Sequence, residues 1–163
     1  MKLFSLGRGK ARRSGDGDEG PVVTVVHVDA KIINRDSEDK PKRTFVGYST
    51  EDGKEEGFEE VNLGQRPDAV ETDAAELYAI DYAMGRFDGR EGRFVLLCDN
   101  ESVVLTLRRP DLKFSSKTKP ILQKVWKGLH EENRRFEVRQ FPQNRADRLL
   151  NAKWNAIKAG EGG

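Results

Sequence analysis

The sequence predicts an α/β domain with a mixed sheet, in which three strands follow one another antiparallel and later strands alternate with helices. Three observations carry this. Residues 22–29 are a β-branched run without helical spacing, apolar enough for burial on both faces, and the run closes in Asp29. Asp52 and Gly53 separate two further strand-like runs, which is the chemistry a tight hairpin turn needs. Residues 93–99 repeat the first pattern and end in Asp99. A helical segment on either side makes this strand parallel to the first.

Length and composition set bounds. A chain of 163 residues is enough for one domain with a genuine core. Lys plus Arg (29) nearly balances Asp plus Glu (28), so bulk charge names no partner. Its distribution says more. Residues 1–13 carry Lys2, Arg8, Lys10, Arg12 and Arg13 with no acid, and residues 36–60 are mainly acidic. Residues 108–139 hold ten Lys or Arg against Asp111, Glu131, Glu132 and Glu137. A basic face beside an acidic cluster suits a polyanion held against metal-binding carboxylates. Cys98 is the single cysteine, which excludes a disulfide framework and a thiolate metal site. No apolar stretch approaches the ~20 residues that span a bilayer, and residues 3–6 are too short for the core of a signal peptide. The expectation is a cytoplasmic, reducing location without membrane contact.

Taken in order, residues 1–20 read as a disordered, basic, Gly-rich tail and residues 21–159 as the folded domain. After the first strand, residues 44–50 and 57–63 form the hairpin about Asp52-Gly53, with Glu59 and Glu60 facing water. Residues 72–84 form a helix that Thr72 or Asp73 caps and Gly85 stops, with Leu77, Ile80 and Met84 on one face. Glu76 stands at the edge of that face; turned inward, it needs a cation. Residues 100–108 form a short helix, 110–116 a linker, and 118–129 a helix whose seam is Ile121, Leu122, Val125, Trp126 and Leu129. A last strand at 136–141 and a turn at 142–144 lead to a closing helix, 145–158, with Ala146, Leu149, Leu150, Trp154 and Ile157 inward. His27 reads as a core residue and His130 as a solvated helix end.

Parallel neighbours bring Asp29 and Asp99 to one end of the sheet. Glu76 near one helix start and Asp147 near another complete a set of four acids in matching places. Four converging carboxylates repel each other and desolvate at heavy cost, and divalent metal relieves both. Oxygen ligands suit Mg2+ or Mn2+, and two such ions about 4 Å apart can activate water and stabilise a leaving oxygen in phosphodiester cleavage.

The segments that carry these acids resemble the ribonuclease H family, type 1, over residues 22–158. They are the strand ending His27-Val-Asp29, the helix Thr72-Asp-Ala-Ala-Glu76, the segment Leu97-Cys-Asp99-Asn-Glu-Ser, and Phe141-Pro-Gln-Asn-Arg-Ala-Asp147. The resemblance implies a five-stranded mixed sheet flanked by helices. It also implies hydrolysis of the RNA strand of RNA–DNA hybrids by a monomer, leaving 5′-phosphate and 3′-hydroxyl ends. Asp29 then bridges both Mg2+ ions, Glu76 and Asp99 hold the ion on the leaving-group side, and Asp147 holds the ion that binds the attacking water. Substrate contacts fall on Ala30, Lys31, Asp73, Asn100, Gln143 and Asn144.

The chain departs from the family in four places. Ala30-Lys31 stands where the family has Gly-Ser. The loop 140–144 lacks the usual His. Gln143 occupies the place of the family's Asn, with Asn144 one step late. The stretch from Asp99 to Asp147 is too short for a basic protrusion. Alternative readings keep the fold but act on double-stranded RNA or a DNA junction, or bind nucleic acid without cleaving it.

Overall fold

The computed structural model describes residues 22–34, 38–61, 72–109, 119–130, 135–142 and 145–162. The expected tail (1–20), the linker at 110–116, and Leu63, Gln143 and Asn144 lie outside the described residues. Among the described residues no helix is long and apolar enough to cross a membrane.

Five strands form one sheet: β1 (Val23–Ile33), β2 (Arg43–Thr50), β3 (Glu56–Val61), β4 (Arg93–Cys98) and β5 (Phe136–Gln140). Their spatial order is β3-β2-β1-β4-β5. The pairs β1–β2 and β2–β3 are antiparallel, while β1–β4 and β4–β5 are parallel. The mixed sheet expected from the sequence is therefore present. Four helices accompany it: α1 (Thr72–Phe87), α2 (Glu101–Arg108), α3 (Lys119–His130) and α4 (Arg145–Gly162).

The pleat divides the core in two. Val26 and Val28 of β1, Val46 and Tyr48 of β2, and Phe94, Leu96 and Cys98 of β4 pack against Leu77, Ile80 and Phe87 of α1, Val104 of α2 and Leu122 of α3. The alternate residues face the other way. There Ile33 and Phe45 meet Leu150, Trp154 and Ile157 of α4, and Phe45 stacks on Phe58 with ring centroids 5.1 Å apart. Period-two alternation thus gives the central strands two buried faces.

The β2–β3 hairpin closes where expected. Gly53 holds φ +75° at the turn, its N–H donates to Thr50 O at 2.9 Å, and Thr50 Oγ1 donates to Asp52 Oδ1 at 2.8 Å. Gly53 also keeps room for Arg145, whose Nη2 lies 3.0 Å from where a Cβ would stand. Glu59 and Glu60 are exposed, and Glu60 is held by Arg43 through two bonds of 2.9 Å.

Three expected boundaries are wrong: the closing helix runs past Lys158 to Gly162, and two others have their reason in packing. Gly85 does not stop α1, which runs on to Phe87. Phe87 is fully buried and ties the last turn to the core, and that packing outweighs the weak helix preference of one exposed glycine. The first strand does not end at Asp29 either. It continues to Ile33, pairing Ala30 with Val46 and Lys31 with Phe45, and burial of Ile33 beneath α4 rewards the added length.

Candidate active site

Strand β1 is unequally paired along its two edges. Against β2 it is paired as far as Ile33, but its parallel ladder with β4 stops at His27–Leu97. In that register Asp29 and Asp99 stand in the same row, two residues past the last pair. Chain β5 runs parallel as well, and the Phe141 N–H donates to Cys98 O at 3.0 Å. Three strands therefore open at one edge of the sheet, where α/β domains place their ligands. Four residues (141–144) separate α4 from the end of β5, and the helix brings Asp147 close enough for its charge to act on Asp29 and Asp99.

Gly47 makes room for this approach. It sits opposite Asp29 in the β1–β2 ladder, and a Cβ there would lie 3.1 Å from Leu150 Cδ2 and 3.2 Å from Gly57 O. Leu150 is one turn beyond Asp147, so the bare backbone at Gly47 lets α4 settle near Asp29. A glycine inside a β-branched and aromatic strand is a signal of close approach that the sequence reading passed over.

Three of the acids are shifted by their neighbours. Asp29 and Glu76 are both 5% exposed, and their carboxyls share a hydrogen bond. Burial first, and then the adjacent Asp29, push Glu76 up to about 10 from an ordinary 4.5. Burial also lifts Asp29 to about 7; the bond from Glu76 opposes this, and the charges of Asp99 and Asp147 add to it. Asp99 stands exposed at the rim, held above the usual carboxylate range by the protein around it and by Asp147. Asp147 is exposed in the first turn of α4.

Cys98 joins this cluster. Its thiol donates to Glu76 Oε1 at 3.6 Å, and ligand atoms of Glu76, Cys98 and Asp99 lie within 4.8 Å of one another. Burial, and then the nearby Glu76, push the thiol well above its ordinary range. It is a donor to the carboxylate, and oxygen atoms remain the ligands on offer to a hard cation. Packed carboxylates that can ionise together only with a counter-charge fit a divalent metal in both ligand type and charge.

The remaining candidates divide. Asn100 and Asp73 meet each other: Asn100 Nδ2 donates to Asp73 Oδ1 at 3.0 Å, while Asn100 Oδ1 caps α2 by accepting from Val103 N at 3.1 Å. Ser102 Oγ adds a 3.4 Å bond to Asp73 Oδ2. These bonds tie the start of α1 to the start of α2, fixing Glu76 relative to Asp99. Ala30 packs against the main core and donates its backbone N–H to Asp29. Lys31 is half-buried, two residues beyond Asp29 on the same strand face. His27 is buried as expected, with Nε2 2.5 Å from Glu51 Oε1. His130 is exposed and stacks on Trp126 with ring centroids 4.2 Å apart.

Solved structures share this architecture. LC11-RNase H1, isolated from compost by a metagenomic approach, superposes with a TM-score of 0.58 at 17% identity, covering 77% of this chain and 91% of its own. The fold is that of ribonuclease H. RNase H1 from the halophilic archaeon Halobacterium salinarum gives a TM-score of 0.52 at 17% identity over 78% of this chain and 93% of its own. The N-terminal RNase H domain of a Mycobacterium tuberculosis protein gives 0.56 at 17% identity over 85% and 98%. No protein-family model matches the chain, and no curated protein does. The ribonuclease H fold therefore rests on three-dimensional likeness and on the strand order described above.

Proposed function

We propose that the chain is a metal-dependent endoribonuclease that hydrolyses the RNA strand of RNA–DNA hybrids, leaving 5′-phosphate and 3′-hydroxyl ends. The observation that carries this is the electrostatic coupling of Asp29, Glu76, Asp99 and Asp147 at the open edge of a ribonuclease H sheet. A second solved structure of LC11-RNase H1, in complex with an RNA/DNA hybrid, matches this chain with a TM-score of 0.53 at 16% identity over 77% of its length.

Asp29, Glu76, Asp99 and Asp147 would hold the divalent ions (Mg2+ or Mn2+), Glu76 and Asp99 on the leaving-group side and Asp147 on the side of the attacking water. When bound, the ions supply Lewis acidity toward phosphate and lower the pKa of water. Glu76 releases its proton to solvent on loading, so that both buried carboxyls are ionised together. Asp147 is exposed at a helix start, open to solvent. Asp73 and Asn100 keep the two helix starts in register, and the Cys98 thiol orients the Glu76 carboxylate. Ala30 and Lys31, on the open edge of β1 beside the cluster, contact the substrate backbone. Gln143 and Asn144, in the loop before α4, would serve the same purpose. Hybrid is recognised by 2′-hydroxyls and backbone shape.

The test is a side-by-side assay of a labelled hybrid, duplex RNA and a four-way DNA junction in Mg2+. Preferential cleavage of the RNA strand in the hybrid is expected. Preference for either other substrate, or binding without cleavage, overturns the proposal.

A further inference from the structure

Helix α4 forms one wall of a groove of about 480 Å3 against β2 and β3. Arg145, Arg148, Ala152, Lys153 and Ala156 line it, at spacings that put them on one helix face, and Glu56 is the single acid among the lining residues. The three cations are exposed, and none is in an ion pair among the described residues. Of the acids of the nearby hairpin, Glu51 is engaged by His27 and Glu55 by Arg90 at 2.7 Å, while Asp52 accepts from Thr50 Oγ1 and the Lys54 N–H. The groove therefore keeps a surplus of positive charge.

We infer that this groove carries the sugar–phosphate backbone of the nucleic acid beyond the cleavage site. The inference deepens the function proposed above and rests on it for the identity of the strand. Arg145 and Arg148 flank Asp147 in sequence, so the cationic face begins beside the acid cluster and leads away from it. From Arg145 to Lys153 the face is about 12 Å long at 1.5 Å per residue, the axial length of three to four nucleotides of one strand. Ala152 and Ala156 have no long side chain to keep a backbone at a distance. The positive end of the α4 dipole lies at the same end of the groove as Arg145. The spacing from Asp99 to Asp147 leaves no room for a basic protrusion, and this face offers an alternative grip.

The test is fluorescence anisotropy with a labelled RNA–DNA hybrid in EDTA, across a salt series, comparing the full chain with Arg148→Glu/Lys153→Glu. The expected result is a Kd raised at least tenfold at low salt and a log K against log salt slope shallower by about two. The melting temperature and its increase by Mg2+ are expected to stay as in the parent. Unchanged Kd and slope overturn the inference. So does unchanged hybrid binding with lost binding of poly-glutamate, which assigns the groove to an acidic polypeptide. Hybrid binding that depends on the groove, without any cleavage, sinks the proposed activity and leaves the groove as a nucleic-acid contact.

Discussion

Replacing Glu76 with glutamine is expected to stabilise the metal-free protein. Glu76 is buried, hydrogen-bonded to Asp29 and raised from 4.5 to about 10. A folded-state pKa above the unfolded value contributes stability fully present below the unfolded pKa, and that stability drains away as pH rises through the folded pKa. Between pH 4.5 and 10 the loss runs at about 1.4 kcal/mol per pH unit. By pH 7 folding must therefore take up a proton that the unfolded carboxylate has lost, at a cost of roughly 3 kcal/mol. Glutamine keeps the shape: its amide N–H can donate to Asp29 and its carbonyl can accept from Cys98. In EDTA at pH 7, Glu76→Gln should gain about 2–3 kcal/mol, a rise in melting temperature of roughly 5–10 °C. The wild type should lose stability from pH 5 to 8 more steeply than the variant. Thermal melts across that range measure both. A variant that melts lower than wild type at pH 7 without metal, or a wild type equally stable at pH 5 and pH 8, refutes the reasoning.

Three further outcomes follow from the same geometry. Mg2+ must displace protons from the raised Asp29 and Glu76, so its apparent affinity should climb from pH 6 to 9. Calorimetry in buffers of different ionisation enthalpy should record proton release, and affinity independent of pH contradicts the coupling. Gly47→Ala puts a methyl 3.1 Å from Leu150 Cδ2 and should cost about 1–2 kcal/mol; because it displaces α4 and Asp147, cleavage should fall at least tenfold at temperatures where the variant stays folded. Asn100→Ala removes the cap of α2 and the tie to Asp73; a loss of about 1 kcal/mol is expected in denaturant melts, with weaker Mg2+ stabilisation, and unchanged metal response would show that the tie positions nothing.

Legibility varied with how local each signal was. The parallel placement of β4 beside β1 could be read from two apolar runs closed by acids, and the register puts Asp29 and Asp99 in one row. The hairpin was equally plain, because Asp52-Gly53 prescribes its own turn. Boundaries set by tertiary burial were not legible: Phe87 extends α1 through Gly85, and Ile33 extends β1 past Asp29. The roles of Gly47 and Cys98 were hidden for a related reason. Each depends on what packs across from it, Leu150 in one case and Glu76 in the other, and no spacing along the chain records that. The exposed position of Asp147 against the burial of Asp29 and Glu76 also needed coordinates, since all three read alike as acids near element ends.

The central claim is that this acid cluster, loaded with divalent metal, cuts RNA paired to DNA. The most direct measurement is a gel assay of an end-labelled hybrid with the wild type and Asp29→Asn, each with Mg2+ and with EDTA. Cleavage of the RNA strand by the wild type in Mg2+ alone is the expected result. Cleavage by Asp29→Asn at the wild-type rate, or by the wild type in EDTA, would contradict it.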